Sequence, residues 1–125
     1  MIKKNAFITG ITGQDGSYLA ELLLSKNYVV HGLLRRTSVL NIDRIQKIIN
    51  THEKKGKLKL HYMDVTDTSS ITNLILKYKP NEFYNLAAMS HVGISFNTGE
   101  ATLNINTLAC YRILESILNN HKDCL

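Results

Sequence analysis

The sequence predicts an α/β fold: a parallel sheet of order 3-2-1-4 with helices on both faces, incomplete at its C-terminal side. Three observations predict it. Apolar strand-like runs alternate with helix-period segments along the chain, in the order β-α-β-α-β-α-β-α. The strand runs are close to continuously apolar rather than alternating, as in strands covered on both faces. Three glycines, Gly10, Gly13 and Gly16, stand between the first strand and the first helix.

Each element has its own signal. Residues 5–9, Asn-Ala-Phe-Ile-Thr, form a short buried strand. From Gln14 to Lys26, Leu19, Leu22 and Leu23 keep helical spacing. Tyr28 to Leu34 is β-branched and apolar, a second strand. Asn41 is expected to cap a helix that carries Ile42, Ile45, Ile48 and Ile49 on one side. Leu58 to Met63 is the third strand. Asp67 starts a helix with Ile71, Leu74, Ile75 and Tyr78 at i, i+3, i+4 and i+7, which stops before Pro80. Glu82 to Leu86 is the fourth strand and a loop follows it. A long helix then runs from about Ala101 to Asn119, with Leu108, Tyr111, Leu114, Ile117 and Leu118 on its face. The whole is read as one Rossmann-type nucleotide-binding domain, residues 1–125, in its N-terminal portion.

Composition narrows the class. With 44% apolar and 20% charged residues, the 125-residue chain has the profile of a soluble globular domain. No apolar run approaches the ~18 residues of a membrane-spanning helix. The apolar stretch after Lys3-Lys4 is too short for a signal peptide. Cys110 and Cys124 have no metal-ligand spacing and make a poor disulfide framework, so no metal site and a reducing cytoplasm are the expectations. The net charge of +5 owes part of its excess to Lys54-Lys55-Gly56-Lys57 and Lys59, read as an exposed turn rather than a nucleic-acid patch.

The glycine loop is the main chemical signal. The first glycine permits the tight turn out of the strand, the second lets backbone approach a pyrophosphate, and the third lets the helix pack on the sheet. The helix N-terminus adds free N–H groups and a positive dipole end. A dinucleotide is therefore the expected ligand. At the end of the second strand, where an NAD site usually carries an acid, the sequence reads Leu33-Leu34-Arg35-Arg36-Thr37-Ser38. A guanidinium binds a 2′-phosphate and a carboxylate repels it, so the expected cofactor is NADP, held by Arg35 and Arg36. After the third strand, Asp64 is set to accept from the adenine amino group while Val65 packs on the ring. Leu86-Ala87-Ala88-Met89-Ser90 leaves room for ribose and phosphate where the fourth strand ends. His31 is read as structural, His91 as a loop histidine satisfied by backbone groups, and Cys110 as core or helix surface.

Three stretches together resemble one family. They are Thr9 to Glu21 (TGITGQDGSYLAE), His31 to Arg36 (HGLLRR) and Tyr84 to Val92 (YNLAAMSHV). In combination they are similar to the N-terminal part of the GDP-mannose 4,6-dehydratases, extended members of the short-chain dehydrogenase/reductases. Gly-Gln-Asp-Gly-Ser-Tyr-Leu and Met-Ser-His-Val are the discriminating pieces. The resemblance covers the whole chain but about the first third of a typical member. It implies loss of water from GDP-mannose to give GDP-4-dehydro-6-deoxy-mannose, with hydride passing from C4 to NADP+ and back to C6. It carries cofactor contacts onto Gly10, Ile11, Thr12, Gly13, Gln14, Asp15 and Gly16, onto Arg35 and Arg36, onto Asp64 and Val65, and onto Leu86, Ala87, Ala88, Met89 and Ser90. It also implies a homo-oligomer, dimer or tetramer.

Two departures stand out. Ser95-Phe96-Asn97-Thr98-Gly99-Glu100-Ala101 has alanine where the family has tyrosine, and Ala87 stands where glycine is common. The family's acid and base groups lie in a Ser/Thr-x-Glu segment and a Tyr-x-x-x-Lys pair. None of Tyr18, Tyr28, Tyr62, Tyr78, Tyr84 and Tyr111 has lysine four residues on. No catalytic residue is therefore expected among these 125, and no turnover from them alone. The alternatives are another nucleotide-sugar epimerase or dehydratase of the extended group, and a non-catalytic NADP-binding module.

Overall fold

A computed structural model of the chain describes residues 3–36 and 41–125. Four strands, β1 (Asn5–Thr9), β2 (Val29–Leu34), β3 (Leu58–Tyr62) and β4 (Glu82–Asn85), form one sheet of order β3-β2-β1-β4. All pairings are parallel, with Phe7 opposite His31 and Phe83, and Leu33 opposite His61. The expected order is therefore the observed one, and strand limits differ from the sequence reading by one residue at the ends of β2, β3 and β4.

Alternation along β1 divides the core. Ala6 and Ile8 face the helices α1 (Gln14–Ser25) and α2 (Gln46–His52), packing with Ala20, Leu23, Leu24, Ile45 and Ile48. Phe7 faces the other side, with Ile71 and Ile75 of α3 (Thr68–Tyr78) and Ile113 of α6 (Ala109–Asn120). Each fully buried isoleucine, leucine or phenylalanine side chain contributes about 1.5–3 kcal/mol. The first layer is almost wholly aliphatic. The second holds an aromatic stack of Phe7, His31, His61 and Tyr78, in which His31 Nδ1 lies 2.9 Å from His61 Nε2. His31 is buried, and burial, with His61 and Lys59 adding to it, lowers its pKa to about 3. Burial likewise lowers His61, with Lys59 and Lys77 adding to it.

Four expectations need correction. Asn41 does not cap the second helix. A short 3-10 turn, Asp43–Ile45, precedes α2, its N-cap is Ile42, and no side chain caps it. The four isoleucines still face the core, so burial rather than capping decides the segment. The stretch read as loop after β4 contains a helix, α4 (Val92–Asn97), whose first turn is held by His91 Nδ1 accepting from the Ile94 N–H. The last helix is three segments. They are α5 (Gly99–Leu103), a π-helical turn (Asn104–Leu108) and α6, so helical structure begins at Gly99 rather than Ala101 and ends at Asn120 rather than Asn119.

The face assigned to that helix is also wrong. Leu108, Tyr111, Leu114 and Leu118 are exposed, and of the named residues only Ile117 packs on the core. The buried face is Ala109, Ile113 and Ser116. Thr72 Oγ1 of α3 and Ser116 Oγ sit 2.8 Å apart, and small side chains allow that approach. Asp67 starts α3 as expected, accepting from the N–H groups of Ser69 and Ser70. Lys79 ends α3 in the left-handed conformation, followed by buried Pro80.

Candidate functional site

The candidate site lies at the carboxyl ends of the strands, where open parallel sheets bind ligands. There the chain leaves β1 through Gly10, whose φ of +69° suits glycine. The Gly13 N–H donates to the Gly10 carbonyl at 2.9 Å and closes the turn into α1. A Cβ on Gly10 would stand 2.8 Å from the Leu86 carbonyl oxygen, so a side chain there would collide with the crossing chain. A Cβ on Gly16 would lie inside contact distance of the Gly10 carbonyl oxygen and Ile11 Cα. The loop is thus packed against itself on one side and open on the other.

The open side is a cleft of about 560 Å³ lined by Gly10, Thr12, Gly13, Gln14, Asp15, Gly16, Leu86, Ala87, Ala88 and Ser90. No side chain caps α1 at Gly13, so the helix presents its amino end to this cleft without a competing side-chain acceptor. A second, narrower cleft of about 170 Å³ adjoins it through Gly10, Thr12, Ala87 and Ala88. Its further walls include Leu33, Arg35, Met63, Asp64, Val65 and Met89. Hydrogen bonds from the N–H and hydroxyl of Thr66 hold the Asp64 carboxyl below the usual carboxylate range against the opposing effect of burial, and the Arg35 charge adds to this.

The structure brings fourteen of the sixteen residues named from the sequence to these two clefts. Ile11 is an exception: its side chain is buried in the aliphatic layer, so only its backbone belongs to the loop. Arg36 is the other; it is exposed and lines neither cleft. Residues 37–40, which include Thr37 and Ser38 of the arginine segment, lie outside the described residues.

Two positioning residues escaped the sequence reading. Thr9 is fully buried. Its hydroxyl donates to Asn85 Oδ1 at 2.7 Å and accepts from the N–H groups of Leu86 at 2.9 Å and Ala87 at 3.0 Å. One hydroxyl thereby fixes how the chain turns off β4 across the end of β1. Asn106, in the π-helical turn, accepts from the Met89 N–H at 2.8 Å and donates to the Met89 carbonyl at 3.1 Å. The neighbouring Ile105 lines the narrower cleft. A threonine directly before the glycine loop was a usable signal; nothing in the pattern around Asn106 was.

Solved structures share the fold: the UDP-glucose 4-epimerase of Thermotoga maritima superposes with a TM-score of 0.78 at 18% identity, over 94% of this chain and 35% of its own. The Bordetella bronchiseptica enzyme WbmH, determined in complex with NAD+, superposes with a TM-score of 0.73 at 23% identity, over 95% of this chain and 36% of its own. Sequence likeness is much closer to another group. GDP-mannose 4,6-dehydratase of Vibrio cholerae serotype O1 is 49% identical over 94% of this chain and 32% of its own length. The Drosophila melanogaster enzyme of that description is 52% identical over 91% of this chain and 29% of its own. GDP-mannose 4,6 dehydratase 2 of Arabidopsis thaliana is 50% identical over 97% and 33%. The chain thus spans about a third of the length of these relatives. The family model described as GDP-mannose 4,6 dehydratase matches residues 7–124, from the first strand to the last turn of the described fold, and the chain belongs to that family.

Proposed function

We propose that the two clefts hold NADP, and that the chain is the cofactor-binding portion of an enzyme converting GDP-mannose to GDP-4-dehydro-6-deoxy-mannose with loss of water, a lyase. The observation that carries the cofactor reading is the glycine cradle. Gly10 and Gly16 let the loop pack against Leu86 and against itself, and the uncapped amino end of α1 opens on the cleft left beside it. N–H groups at a helix start suit a pyrophosphate. The narrower cleft fits the adenosine end. Leu33, Met63 and Val65 supply an apolar slot, Asp64 an ionised acceptor for the adenine amino group, and Arg35 a cation for the 2′-phosphate. Arg36, exposed beside it, adds charge at the same edge. Leu86, Ala87, Ala88 and Ser90 line the wider cleft and Met89 the narrower one, which suits the ribose and phosphates between them.

When bound, the cofactor supplies a reversible hydride acceptor. The residues of this chain hold and orient it. The family resemblance supports GDP-mannose as the substrate, a cytoplasmic setting and assembly as a homo-oligomer. No tyrosine of the chain has lysine four residues on, so binding without turnover is the expected behaviour of these residues alone. No group of three metal-ligating side chains occurs among the described residues, and no helix among them is long and apolar enough to cross a membrane.

Titration of the protein with NADP+ and NAD+ by calorimetry tests the reading. NADP+ is expected to bind at least tenfold more tightly, since a charge-assisted bond to the extra phosphate is worth roughly 1.5–3 kcal/mol. Retention of neither nucleotide, or a preference for NAD+, overturns it.

A further inference from the structure

The π-helical turn between α5 and α6 has a consequence for the narrower cleft. Its closing bond, from the Ala109 N–H to the Asn104 carbonyl, reaches back five residues instead of four. One extra residue turns the chain before Ala109 by about 100° relative to a regular helix. The register of α6 cannot absorb that rotation, because Ala109, Ile113 and Ser116 are buried and Ile113 packs with Phe7. The rotation therefore decides where Asn104, Ile105 and Asn106 stand.

All three are engaged. Asn104 Oδ1 accepts from Arg112 Nη1 at 2.6 Å, which holds the turn to α6. Ile105 lines the narrower cleft, and so does Met89 from the loop after β4. The Asn106 carboxamide meets both polar backbone groups of Met89, as the facing residue of a neighbouring strand would. One side chain thus joins two wall residues that belong to segments far apart in the chain. Asn106 itself is exposed. Two such bonds add little to overall stability, so their effect is to fix a position.

We infer that Asn106 is a positioning residue of the narrower cleft, tying Met89 to the π-helical turn so that Met89 and Ile105 form one fixed wall for an adenine ring. The inference rests on the reading that this cleft takes the adenosine end of NADP. With the tie removed, Met89 is free to leave the wall, and a ligand must order it on binding.

Methionine-methyl NMR and calorimetry on the whole chain test this, with adenosine 2′,5′-bisphosphate and NADP+ as ligands. The sequence has three methionines, Met1, Met63 and Met89, and the last two line the cleft. In the wild type the bisphosphate is expected to shift the Met63 and Met89 signals. In free N106A the Met89 signal should move and sharpen while Met63 stays. Both ligands should bind N106A about fivefold more weakly, the scale of ordering one side chain, with the urea midpoint unchanged. If the bisphosphate shifts neither signal in the wild type, the cleft reading falls and takes the inference with it. If it shifts both, but N106A binds as tightly as the wild type or leaves Met89 unmoved, the reading stands and the inference alone fails. If N106A displaces Met63 as much as Met89, or lowers the urea midpoint, Asn106 braces the fold at large and the inference fails too.

Discussion

The two ends of the sheet are built on opposite plans. At the amino end, polar side chains saturate one another: Glu82 accepts from Tyr28 OH at 2.9 Å, Tyr84 OH at 2.8 Å and Lys4 Nζ at 3.3 Å. Burial alone would push the Glu82 carboxyl up. The bonds from Tyr84, Tyr28 and Lys4 together outweigh it and hold the carboxyl low. Tyr84 in turn is pushed up to about 12, chiefly by its bond to Glu82. Beside this network Leu125 lies along β4, its N–H donating to the Asn81 carbonyl at 2.9 Å and its carbonyl accepting from the Phe83 N–H at 2.7 Å. At the carboxyl end the side chains are small or absent and the helix start is uncapped. One end saturates its polar side chains among themselves; the other leaves a helix start without a side-chain partner beside an open cleft.

The largest expected effect comes from filling the open end. Gly10→Ala places a side chain at positive φ and against the Leu86 carbonyl, so we expect a loss of about 2–4 kcal/mol in denaturant unfolding. NADP+ affinity should fall at least a hundredfold. If that variant fails to fold, Gly13→Ala serves as the milder probe, since its Cβ would stand 3.2 Å from the Gly10 carbonyl oxygen. Gly13→Ala binding NADP+ as well as the wild type would show that the loop is not a phosphate cradle.

Acid should act on the middle of the sheet, between the two ends. His31 refuses a proton until about pH 3 in the fold, whereas the unfolded chain takes one near 6.5. Its native pKa is lowered, so the unfolded state binds more protons below 6.5 and stability is lost as the pH is lowered. The slope reaches about 1.4 kcal/mol per pH unit for His31 alone, with His61 adding in the same direction. Urea midpoints measured from pH 7.5 down to 4.5 check this. His31→Leu should flatten the part of the curve that His31 contributes; an unchanged curve in that variant would remove His31 as the cause.

The smallest expected effect is at the closed end, and it sharpens the contrast most. Glu82→Ala leaves two phenols and an ammonium without their shared acceptor, and should cost about 1–3 kcal/mol. NADP+ affinity should stay within twofold, because these residues lie at the far end of the strands. The Tyr84 phenol should move down from about 12 toward its ordinary value near 10 in an absorbance titration. A matching loss of NADP+ affinity would mean that the two ends are not independent.

How much of this was legible follows from what kind of force decides each part. The strands, α1 and α3 were legible because burial imposes a period, and Asp67 was legible as a start signal because its carboxylate satisfies N–H groups two and three residues ahead. The helix α4 was not, since Val92-Gly93-Ile94-Ser95 has poor helical propensity and is held in part by the His91 ring. The last helix carries two apolar stripes, and periodicity cannot say which one meets the sheet. Contact with α3 through Ser116 and Thr72 chose the narrower stripe and left Tyr111, Leu114 and Leu118 outside. In the site, the glycines and Arg35 could be read because their chemistry is local to a turn and a strand end. Asn106 could not, because it acts on the backbone of Met89 far away in the chain; Thr9 stood beside the glycine loop, but its partners, the N–H groups of Leu86 and Ala87, are just as distant.

The sequence by itself determined the alternation of elements, the glycine turn and the basic end of the second strand, since each depends on residues within a few positions of one another. Only the tertiary structure decided which helix face is buried, how β4 turns across β1, and which guanidinium groups reach the clefts. Those outcomes depend on hydrogen bonds and close packing between segments up to 78 residues apart, and no local pattern carries that information.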